Sequence, residues 1–473
     1  MNPRNSALIL GAGPSGMACA MELYKAGRRF TIVEKDSQVG GLSKTYVFGK
    51  FRTDIGGHRF FSQNKYLYDF IEDLLKEKWI KVKRSSRFYI GGKFYNYPVD
   101  LRTALPTMGP IKAAMALKDY VYEKTFGRDN SGNNFEDYTV SRFGRTLAEF
   151  NILNYTEKIW GIPCKNLSSQ WAKQRIKDLS VSSILKKALF NSAGPKTLVE
   201  EFYYPEYGTG TIYGKIHEKA GKRNEVLLGA MPAEILHKNG KITMVSLNDG
   251  RRFRRPHYVV SSIPITAFCR LLKPSPPKHV MDALSGLRFR SQVYLFITIN
   301  KPCVGMDQWI YFPDKEVPFA RIAEMKNFSK SMAPHGKTSL FIEFFCWEGD
   351  ETWKKSKDEL LEMSVHWLEK LGFLRNEEIM DAWRISGLNA YPVYDIGYED
   401  KLKEVKEYLD GFANLLYIGR PGRFRYTNQD HSLEMGMLAA RAIISGKKPD
   451  FDSVGGKNEY FESGNLNAAG KAT

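Results

Sequence analysis

Four residues near the start of the chain have the types and the spacing that bind a dinucleotide. Gly11, Gly13 and Gly16 follow an apolar run and precede a stretch of helical composition. In this pattern the first glycine makes a tight turn, the second lets the backbone approach a pyrophosphate, and the third lets helix and strand pack closely. Glu34 ends a second apolar run 18 residues beyond Gly16, where a carboxylate accepts hydrogen bonds from ribose hydroxyls. The pattern predicts a dinucleotide whose phosphates lie at a helix N-terminus.

Further glycines downstream favour FAD over NAD as that dinucleotide. Gly40 and Gly41 follow Glu34 closely, and Gly57 and His58 end a second glycine-containing loop. Glycines let the backbone lie against an extended isoalloxazine ring, which NAD lacks. A helix that starts late in the chain places its positive end beside the reduced flavin. The residues assigned to that end of the cofactor are Gly419, Asn428, Gln429, Asp430 and Ser432.

The periodicity of apolar residues indicates which elements position these groups. Residues 6–10 and 30–33 have the pattern of buried parallel strands joined by a helix over 17–26. Helical periodicity dominates between 99 and 189, and alternation between 293 and 345 indicates an antiparallel sheet. We therefore expect an α/β fold, in which a discontinuous Rossmann-type FAD-binding domain carries a helical insertion and an antiparallel β-sheet substrate region.

The order of these elements gives expected domain boundaries. The FAD-binding domain takes residues 1–80, 200–265 and 410–450, the mostly helical substrate-capping region 85–199, and the sheet and helix region 266–409. Residues 452–473 are rich in Gly, Ser, Asn and Ala, which predicts a disordered tail. The first residues pass directly into a strand, so we expect no secretory leader.

The charge of the chain leaves several partners open. The 473 residues include 70 Lys and Arg against 52 Asp and Glu, a formal net charge of +18. Nucleic acid, an anionic membrane or a polyanionic small substrate would each suit this balance, although solvated surface charge explains most of it. No zinc finger, helix-turn-helix or RRM pattern is present, so nucleic acid is the least favoured. Five cysteines without a CxxC pair favour a cytoplasmic protein without a metal site, and no apolar run is long enough for a transmembrane helix.

Several loops taken in order resemble the UDP-galactopyranose mutase family. Residues 54–62 (DIGGHRFFS) are similar to the histidine loop that family members place over the flavin. Residues 155–161 (YTEKIWG) resemble the uracil-binding helix of bacterial members, whereas 309–313 (WIYFP) and 428–432 (NQDHS) look closer to eukaryotic members. The resemblance covers about residues 6–445. It implies an isomerase of cell-wall polysaccharide synthesis that acts on a UDP-sugar.

The family resemblance implies chemistry without net oxidation or reduction. Reduced flavin N5 attacks the anomeric carbon of the sugar and displaces UDP, and the sugar ring then opens and recloses through another hydroxyl before UDP returns. FAD must therefore be reduced, with NAD(P)H as a candidate external reductant that has to enter the substrate pocket itself. The expected partner is a nucleotide sugar, and a homo-oligomer is left open.

The resemblance also assigns roles to individual residues. Arg175 and Arg321 match the two arginines that clamp the diphosphate, since a planar guanidinium fits phosphate oxygens. His58 matches a residue that tunes the flavin and is not expected to be a general base. The other substrate-side positions are Tyr311, Tyr391 and Tyr426 at the phosphates, Tyr155 and Trp160 along the uracil, and Trp309 and Arg84 at the flavin or substrate pocket.

The match departs from the family pattern mainly on the substrate side. Phe328 stands where eukaryotic members carry a tyrosine, and Asp100 where a glutamine is expected. Asn151 and Ile152 occupy positions where an aromatic residue or methionine would line the uracil pocket. These differences put the sugar and the base in question more than the fold. A redox enzyme of the amine-oxidase or desaturase kind stays open as an alternative, as does a flavin-binding module that acts through partner contacts.

Overall fold

The computed structural model describes residues 6–62, 64–97, 106–127, 134–170 and 201–455. Its strands are β1 (Ser6–Leu10), β2 (Arg29–Glu34), β3 (Thr45–Phe48), β4 (Phe51–Asp54), β5 (Trp79–Lys83), β6 (Ser86–Ile90), β7 (Lys93–Asn96), β8 (Glu201–Pro205), β9 (Glu225–Leu228), β10 (Pro232–Lys238), β11 (Lys241–Leu247), β12 (Arg252–Arg254), β13 (Tyr258–Ser261), β14 (Leu272–Lys273), β15 (Phe289–Ile299), β16 (Trp309–Tyr311), β17 (Arg321–Glu324), β18 (Thr338–Cys346), β19 (Ile379–Pro392) and β20 (Leu415–Tyr417). Its longer α-helices are α1 (Pro14–Lys25), α2 (Lys65–Leu75), α3 (Pro110–Phe126), α4 (Phe135–Phe143), α5 (Asn154–Trp160), α6 (Gly210–Ala220), α7 (Ile265–Arg270), α8 (Lys278–Ser285), α9 (Lys357–Lys370), α10 (Tyr398–Asp410) and α11 (Gln429–Ser445).

A five-stranded parallel sheet is assembled from distant parts of the sequence. Its strand order is β20-β13-β1-β2-β9, and each neighbouring pair is parallel. The central strand β1 is buried from Ala7 to Leu10, as expected for a parallel sheet covered on both faces. The carboxyl ends of its strands meet at one edge, where ligands bind in sheets of this type.

Two helices pack together beside this sheet. α1 follows β1 directly and begins at Pro14, whose fixed φ and missing N–H suit the first helical turn. α11 comes from the end of the described chain and crosses α1 closely. Small residues such as Ala18, Ala439 and Ala440 are fully buried in the same core cluster. Their size lets the two helix backbones approach each other.

A seven-stranded sheet carries the other half of the structure. Its order is β19-β15-β18-β17-β16-β6-β7, and the neighbours are antiparallel except for β16 and β6. Alternate residues of β15 enter two different apolar clusters: Val293 and Leu295 lie in one, Tyr294 and Phe296 in the other. Both faces of the sheet are therefore buried, which explains why this strand reads as a nearly continuous apolar run.

Two segments differ from the pattern expected at their positions. β6 and β7 fall within the range assigned to the helical region, but they extend the seven-stranded sheet because SRFYI alternates between buried and half-buried residues.

Asp452, the first residue of the expected tail, forms ion pairs with Lys406 and Arg423. These contacts hold residues up to 455 against the body, and residues 456–473 lie outside the described part of the chain.

The predicted fold class is confirmed. A parallel sheet follows the glycine loop, the described parts of residues 106–170 are largely helical, and the chain then returns through a mainly antiparallel sheet. The return of β13 and β20 to the parallel sheet makes that sheet discontinuous in sequence.

Replacing Gly436 with alanine tests the crossing of α1 and α11. A Cβ atom at Gly436 would overlap the carbonyl oxygen of Ser15 and lie 2.9 Å from the Cβ of Ala18. Since backbone atoms in a packed crossing cannot yield easily, we expect Gly436→Ala to lower the free energy of unfolding by about 1–3 kcal/mol. Urea denaturation followed by circular dichroism measures this change.

Gly214→Ala in α6 is the matched control for that substitution. No atom outside its own helix backbone lies within 4 Å of the Cβ position in the described structure. Alanine also favours the helix over glycine, so stability should stay constant or rise by up to about 1 kcal/mol. Equal unfolding midpoints for Gly436→Ala and the native chain would contradict the close crossing.

Candidate active site

A cavity of about 1510 Å³ opens between the parallel sheet and the seven-stranded sheet. Its wall takes residues from the loops after β1 and β2, from α4 and α5, and from the start of α11. Most of the residues expected to form a site lie in this wall. They are Gly11, Gly13, Glu34, Gly41, Gly57, His58, Tyr155, Trp160, Trp309, Tyr311, Arg321, Tyr391, Gly419, Tyr426, Asn428, Gln429 and Ser432.

The first glycine loop is packed as a dinucleotide cradle. A Cβ atom at Gly16 would overlap the carbonyl oxygen of Gly11, so a side chain there would force α1 away from β1. Glu34 is buried at the end of β2, and its Oε2 accepts a hydrogen bond of 2.7 Å from the Ala12 N–H. The carboxylate is thereby held beside the loop and the N-terminus of α1. This arrangement fits the ribose and pyrophosphate of a dinucleotide.

The second glycine pair lies against the first loop. The Gly40 N–H donates to the Ala12 carbonyl at 2.8 Å, and a Cβ atom at Gly41 would lie 3.0 Å from the Cα of Gly13. Gly41 and Gly13 both line the cavity, whereas Gly40 and Gly16 shape the turns without being part of its wall. Asp430, also outside the wall, is buried in the first turn of α11.

His58 lies on the cavity wall next to Gly57. Its Nε2 is 3.0 Å from the carbonyl oxygen of Leu42, so the ring proton belongs on Nε2 and Nδ1 is left as an acceptor. Burial lowers the pKa of His58, and the Asp54 carboxylate and the Leu42 carbonyl offset only part of that effect. The imidazole is therefore neutral at physiological pH.

Four polar side chains from adjacent strands form a row on one face of the seven-stranded sheet. The strand register pairs Tyr311 with Arg321, Arg321 with Glu343, and Glu343 with Tyr294. Directly opposed residues on neighbouring strands project from the same face. All four line the cavity. We call Tyr311, Arg321, Glu343 and Tyr294 the cross-strand row.

A bidentate ion pair lies at the centre of the cross-strand row. Arg321 donates from Nε to Glu343 Oε1 at 2.7 Å and from Nη2 to Oε2 at 2.8 Å. The Glu343 side chain is 1% exposed and that of Arg321 is 18% exposed. Burial acts to lower the pKa of Arg321, but the Glu343 carboxylate outweighs it and holds the pKa well above its ordinary value. The pair uses two of the five guanidinium N–H groups and fixes the plane of the others.

Gln292 and Tyr294 complete the shell around the buried carboxylate. Gln292 Nε2 donates to Glu343 Oε2 at 3.2 Å, and the Tyr294 hydroxyl donates to Gln292 Oε1 at 2.7 Å. Both oxygens of Glu343 therefore accept hydrogen bonds although the group is almost fully removed from solvent. Such a chain keeps the carboxylate in one orientation.

Arg420 also lines the cavity. Its Nε donates to the Thr427 carbonyl at 3.0 Å and its Nη1 to the Ala390 carbonyl at 3.3 Å. The guanidinium carbon lies 4.6 Å from the ring centre of Tyr426 and 5.3 Å from that of Tyr391. These carbonyls carry no formal charge, so the positive charge of Arg420 is not neutralised by them.

Aromatic rings form much of the remaining wall. Tyr155 and Tyr311 meet edge to face at 5.3 Å, and Tyr391 stacks on Tyr426 at 5.7 Å. Trp160 is 2% exposed and meets Tyr391 edge to face at 6.0 Å. Burial raises the pKa of Tyr155 well above its ordinary value and, with Tyr426 nearby, raises that of Tyr391 to about 12. Both phenols therefore keep their protons at neutral pH and can donate hydrogen bonds.

The positions that depart from the family pattern have different surroundings. Asn151 and Ile152 line the cavity, as expected for residues of a ligand pocket. Phe328 is 2% exposed and lies outside the wall, where it stacks on Trp309 at 5.8 Å. A Cβ atom at Gly57 would lie 3.3 Å from the Phe328 ring. Phe328 therefore packs against the loop that carries Gly57 and His58, on the side away from the cavity.

Arg84, which was expected at the flavin or substrate pocket, does not line the cavity. Arg84 donates to the Tyr97 carbonyl at 3.3 Å and lies over the Tyr97 ring. Tyr97 lines the cavity, so Arg84 supports the wall through its contact with Tyr97. Arg175, the other expected diphosphate clamp, lies outside the described residues, as does Asp100.

Glu343 and Arg420 line the cavity but were not predicted as site residues from the sequence. Glu343 is the only acidic residue of TSLFIEFFC in β18, and a lone acid in an apolar strand is a signal of a paired buried charge. Arg420 directly follows Gly419, but nothing in its local sequence distinguishes it from a surface arginine.

The described residues contain neither a metal-ligand cluster nor a membrane-spanning helix. They hold no cluster of three or more His, Cys, Asp or Glu side chains arranged as metal ligands. Within the same ranges, none of the helices has both the length and the apolar character needed to cross a membrane.

Comparison with known proteins identifies the family. The model of the family described as flavin containing amine oxidoreductase matches residues 14–444. Protoporphyrinogen oxidase 2 of Arabidopsis thaliana (chloroplastic/mitochondrial) is 23% identical across 93% of this chain and 92% of its own length. A probable UDP-galactopyranose mutase of Klebsiella pneumoniae is 25% identical, across 37% of this chain and 45% of its own length.

A solved structure shares the whole fold. The crystal structure of a reduced UDP-galactopyranose mutase matches with a TM-score of 0.83 and 23% identity, covering 96% of this chain and 98% of that one. This confirms the fold expected from the resemblance of the loops. The family match covers most of the chain: it begins at the first residue of α1, directly after Gly13, and includes Glu34 and the cross-strand row. The chain therefore belongs to the flavin containing amine oxidoreductase family, whose members use a flavin cofactor.

Proposed function

We propose that this protein is an FAD-dependent isomerase that interconverts the pyranose and furanose forms of a nucleotide sugar, with a UDP-hexose as the first candidate. The observation that carries the proposal is the cross-strand row, in which a buried carboxylate orients Arg321 among phenolic hydroxyls. A diphosphate is bound best by oriented, bidentate donors. The fold shared with a reduced UDP-galactopyranose mutase supports the same choice.

The two glycine loops would hold FAD in this proposal. Gly11, Gly13 and Glu34 bind the adenosine and pyrophosphate end, whereas Gly57, His58 and the start of α11 lie along the isoalloxazine. Bound and reduced, the flavin supplies a nucleophile for the anomeric carbon without net redox change. The proposal includes NAD(P)H as external reductant and the cytoplasm as the compartment.

Departing UDP carries negative charge, and the chain supplies two different responses to it. Arg321 is already paired with Glu343, so its contribution is a fixed direction for its remaining N–H groups. The Arg420 guanidinium donates hydrogen bonds to the uncharged carbonyls of Thr427 and Ala390. Arg420 therefore adds net positive charge to the cavity. One arginine therefore orients the diphosphate and the other compensates its charge.

The aromatic wall has two tasks in this reaction. The protonated phenols of Tyr155 and Tyr391 donate hydrogen bonds to phosphate oxygens, because burial keeps their pKa values high. Their ring faces, with those of Trp160 and Tyr426, keep water away from the activated sugar. Water at that point would hydrolyse the sugar and end the isomerisation.

Flavin-dependent oxidation is the second candidate function. The observation in its favour is the similarity to an A. thaliana protoporphyrinogen oxidase over 93% of the chain, a wider match than that to the K. pneumoniae mutase. A neutral amine or polyprenoid substrate, however, would leave the charge of Arg420 desolvated and uncompensated. This cost favours an anionic substrate and argues against a neutral one, whereas a porphyrinogen, which carries carboxylates, is distinguished from a nucleotide sugar by the assay below.

Turnover of UDP-galactofuranose tests the proposed function. We expect holoenzyme reduced with dithionite to form UDP-galactopyranose, and oxidised holoenzyme to form none, because only reduced flavin is nucleophilic. Anion-exchange chromatography separates the two sugars. Failure of the reduced enzyme with UDP- and GDP-furanoses, together with oxygen consumption on a porphyrinogen, would replace the isomerase with the oxidase.

Arg321→Lys tests the need for a planar, oriented donor. Lysine keeps the charge beside Glu343 but loses the bidentate fork, so we expect kcat/KM to fall about 100-fold with flavin content unchanged. Arg288→Lys is the matched control, because Arg288 makes a similar bidentate pair with Asp395 at 3.0 and 2.6 Å, outside the cavity wall. Steady-state kinetics that show no loss in Arg321→Lys, or the same loss in both variants, would contradict this role.

A further inference from the structure

One helix carries an unusual share of the exposed apolar surface. Among the described residues, 13 large hydrophobic side chains are exposed, and six of them belong to α3. Their exposed fractions run from 52% to 77%, far above those of core residues. A concentration of this kind marks an interaction surface. We call these six the apolar face: Ile111, Met115, Leu117, Val121, Tyr122 and Phe126.

The opposite side of α3 is fixed to the body of the protein. Ala116 is 1% exposed, and the Asp119 carboxylate accepts hydrogen bonds from Thr146 N–H at 3.1 Å and from its hydroxyl at 2.6 Å. These contacts set the rotation of the helix. Ile111 and Met115, four residues apart, therefore share the outward side.

Basic residues accompany the apolar face. Lys118 is exposed among the apolar residues of the outward side and Lys124 is exposed at its border, whereas the two acidic residues of α3, Asp119 and Glu123, are half-buried on the inner side. The outward surface of the helix thus combines apolar and positively charged groups without an exposed carboxylate. This is the composition of helices that lie in a lipid interface, where lysine stems extend to reach the headgroups.

We propose that α3 docks this protein on an anionic lipid surface and lies in the plane of that interface. An anionic lipid surface is the partner that fits best, because its acidic headgroups would pair with the exposed lysine side chains. α3 has 17 residues, and it shares with the other helices of the described ranges a lack of the length and apolar character needed to cross a bilayer. Docking is a separate property from the reaction, so it stands whether the enzyme isomerises or oxidises its substrate.

A second copy of the chain fits the apolar face less well. By helical position Lys118 lies among Ile111, Met115 and Tyr122 on the outward side. A two-fold contact through this face would cover Lys118 of both copies with apolar side chains and remove both charges from water. A lipid surface instead offers each lysine a phosphate.

Vesicle sedimentation of the flavin-loaded full chain tests the proposal. We expect binding to vesicles of phosphatidylcholine mixed with phosphatidylglycerol, weaker binding at high salt, and little binding to phosphatidylcholine alone. The double variant Ile111→Ser/Phe126→Ser should bind the mixed vesicles with an affinity at least about tenfold lower, because two exposed apolar side chains no longer enter the interface. Circular dichroism and flavin content should match those of the native chain.

Met306→Ser/Ile396→Ser is the matched control. Both residues are exposed, at 81% and 54%, but lie far from α3 in sequence and outside its face, so this variant should bind vesicles as the native chain does. Absence of native binding to the mixed vesicles would overturn the proposal, as would equal binding by the α3 variant. A native dimer in light scattering that the α3 variant converts to a monomer, without vesicle binding, would assign the face to a second copy.

Discussion

The bidentate pair between Arg321 and Glu343 is the interaction on which the rest of the site depends. It joins β17 to β18 within the seven-stranded sheet, so backbone hydrogen bonds set its geometry. A carboxylate that is 1% exposed would be very costly without a partner. The guanidinium and Gln292 together satisfy it, and the same contacts point Arg321 into the cavity. Stability and recognition therefore rest on the same two side chains.

The site lies where two halves with different physical contributions meet. The parallel sheet provides backbone, in the form of glycine loops and helix N-termini, whereas the seven-stranded sheet provides oriented side chains. Gly56 connects them, since a Cβ atom there would lie 3.1 Å from Arg321 Nη2 and 3.2 Å from Glu343 Oε1. The loop that carries His58 thus rests directly on the ion pair. This contact links the loop after β4 to the side chains of the seven-stranded sheet.

The parts of the structure that local sequence determines were predictable, and those that register determines were not. Gly11, Gly13 and Gly16 mark the first loop because only glycine tolerates its close contacts, and buried strands have a clear apolar pattern. The cross-strand row depends on how β16, β17, β18 and β15 align, which no local pattern records. Arg321 was therefore identified only through the family resemblance, and Glu343 was missed. The net charge alone left an anionic membrane open as a partner, but only the fold shows that Lys118 shares the outward side of α3 with exposed apolar residues.

Calorimetric titration of the reduced holoenzyme with UDP and with GDP tests most directly whether this cavity is a nucleotide-sugar site. The cavity combines an oriented arginine, an uncompensated arginine and protonated phenols, which together suit a diphosphate. We expect saturable binding of UDP at one site per chain, tighter than that of GDP. Absence of saturable binding by either nucleotide would contradict it and direct the search to redox substrates.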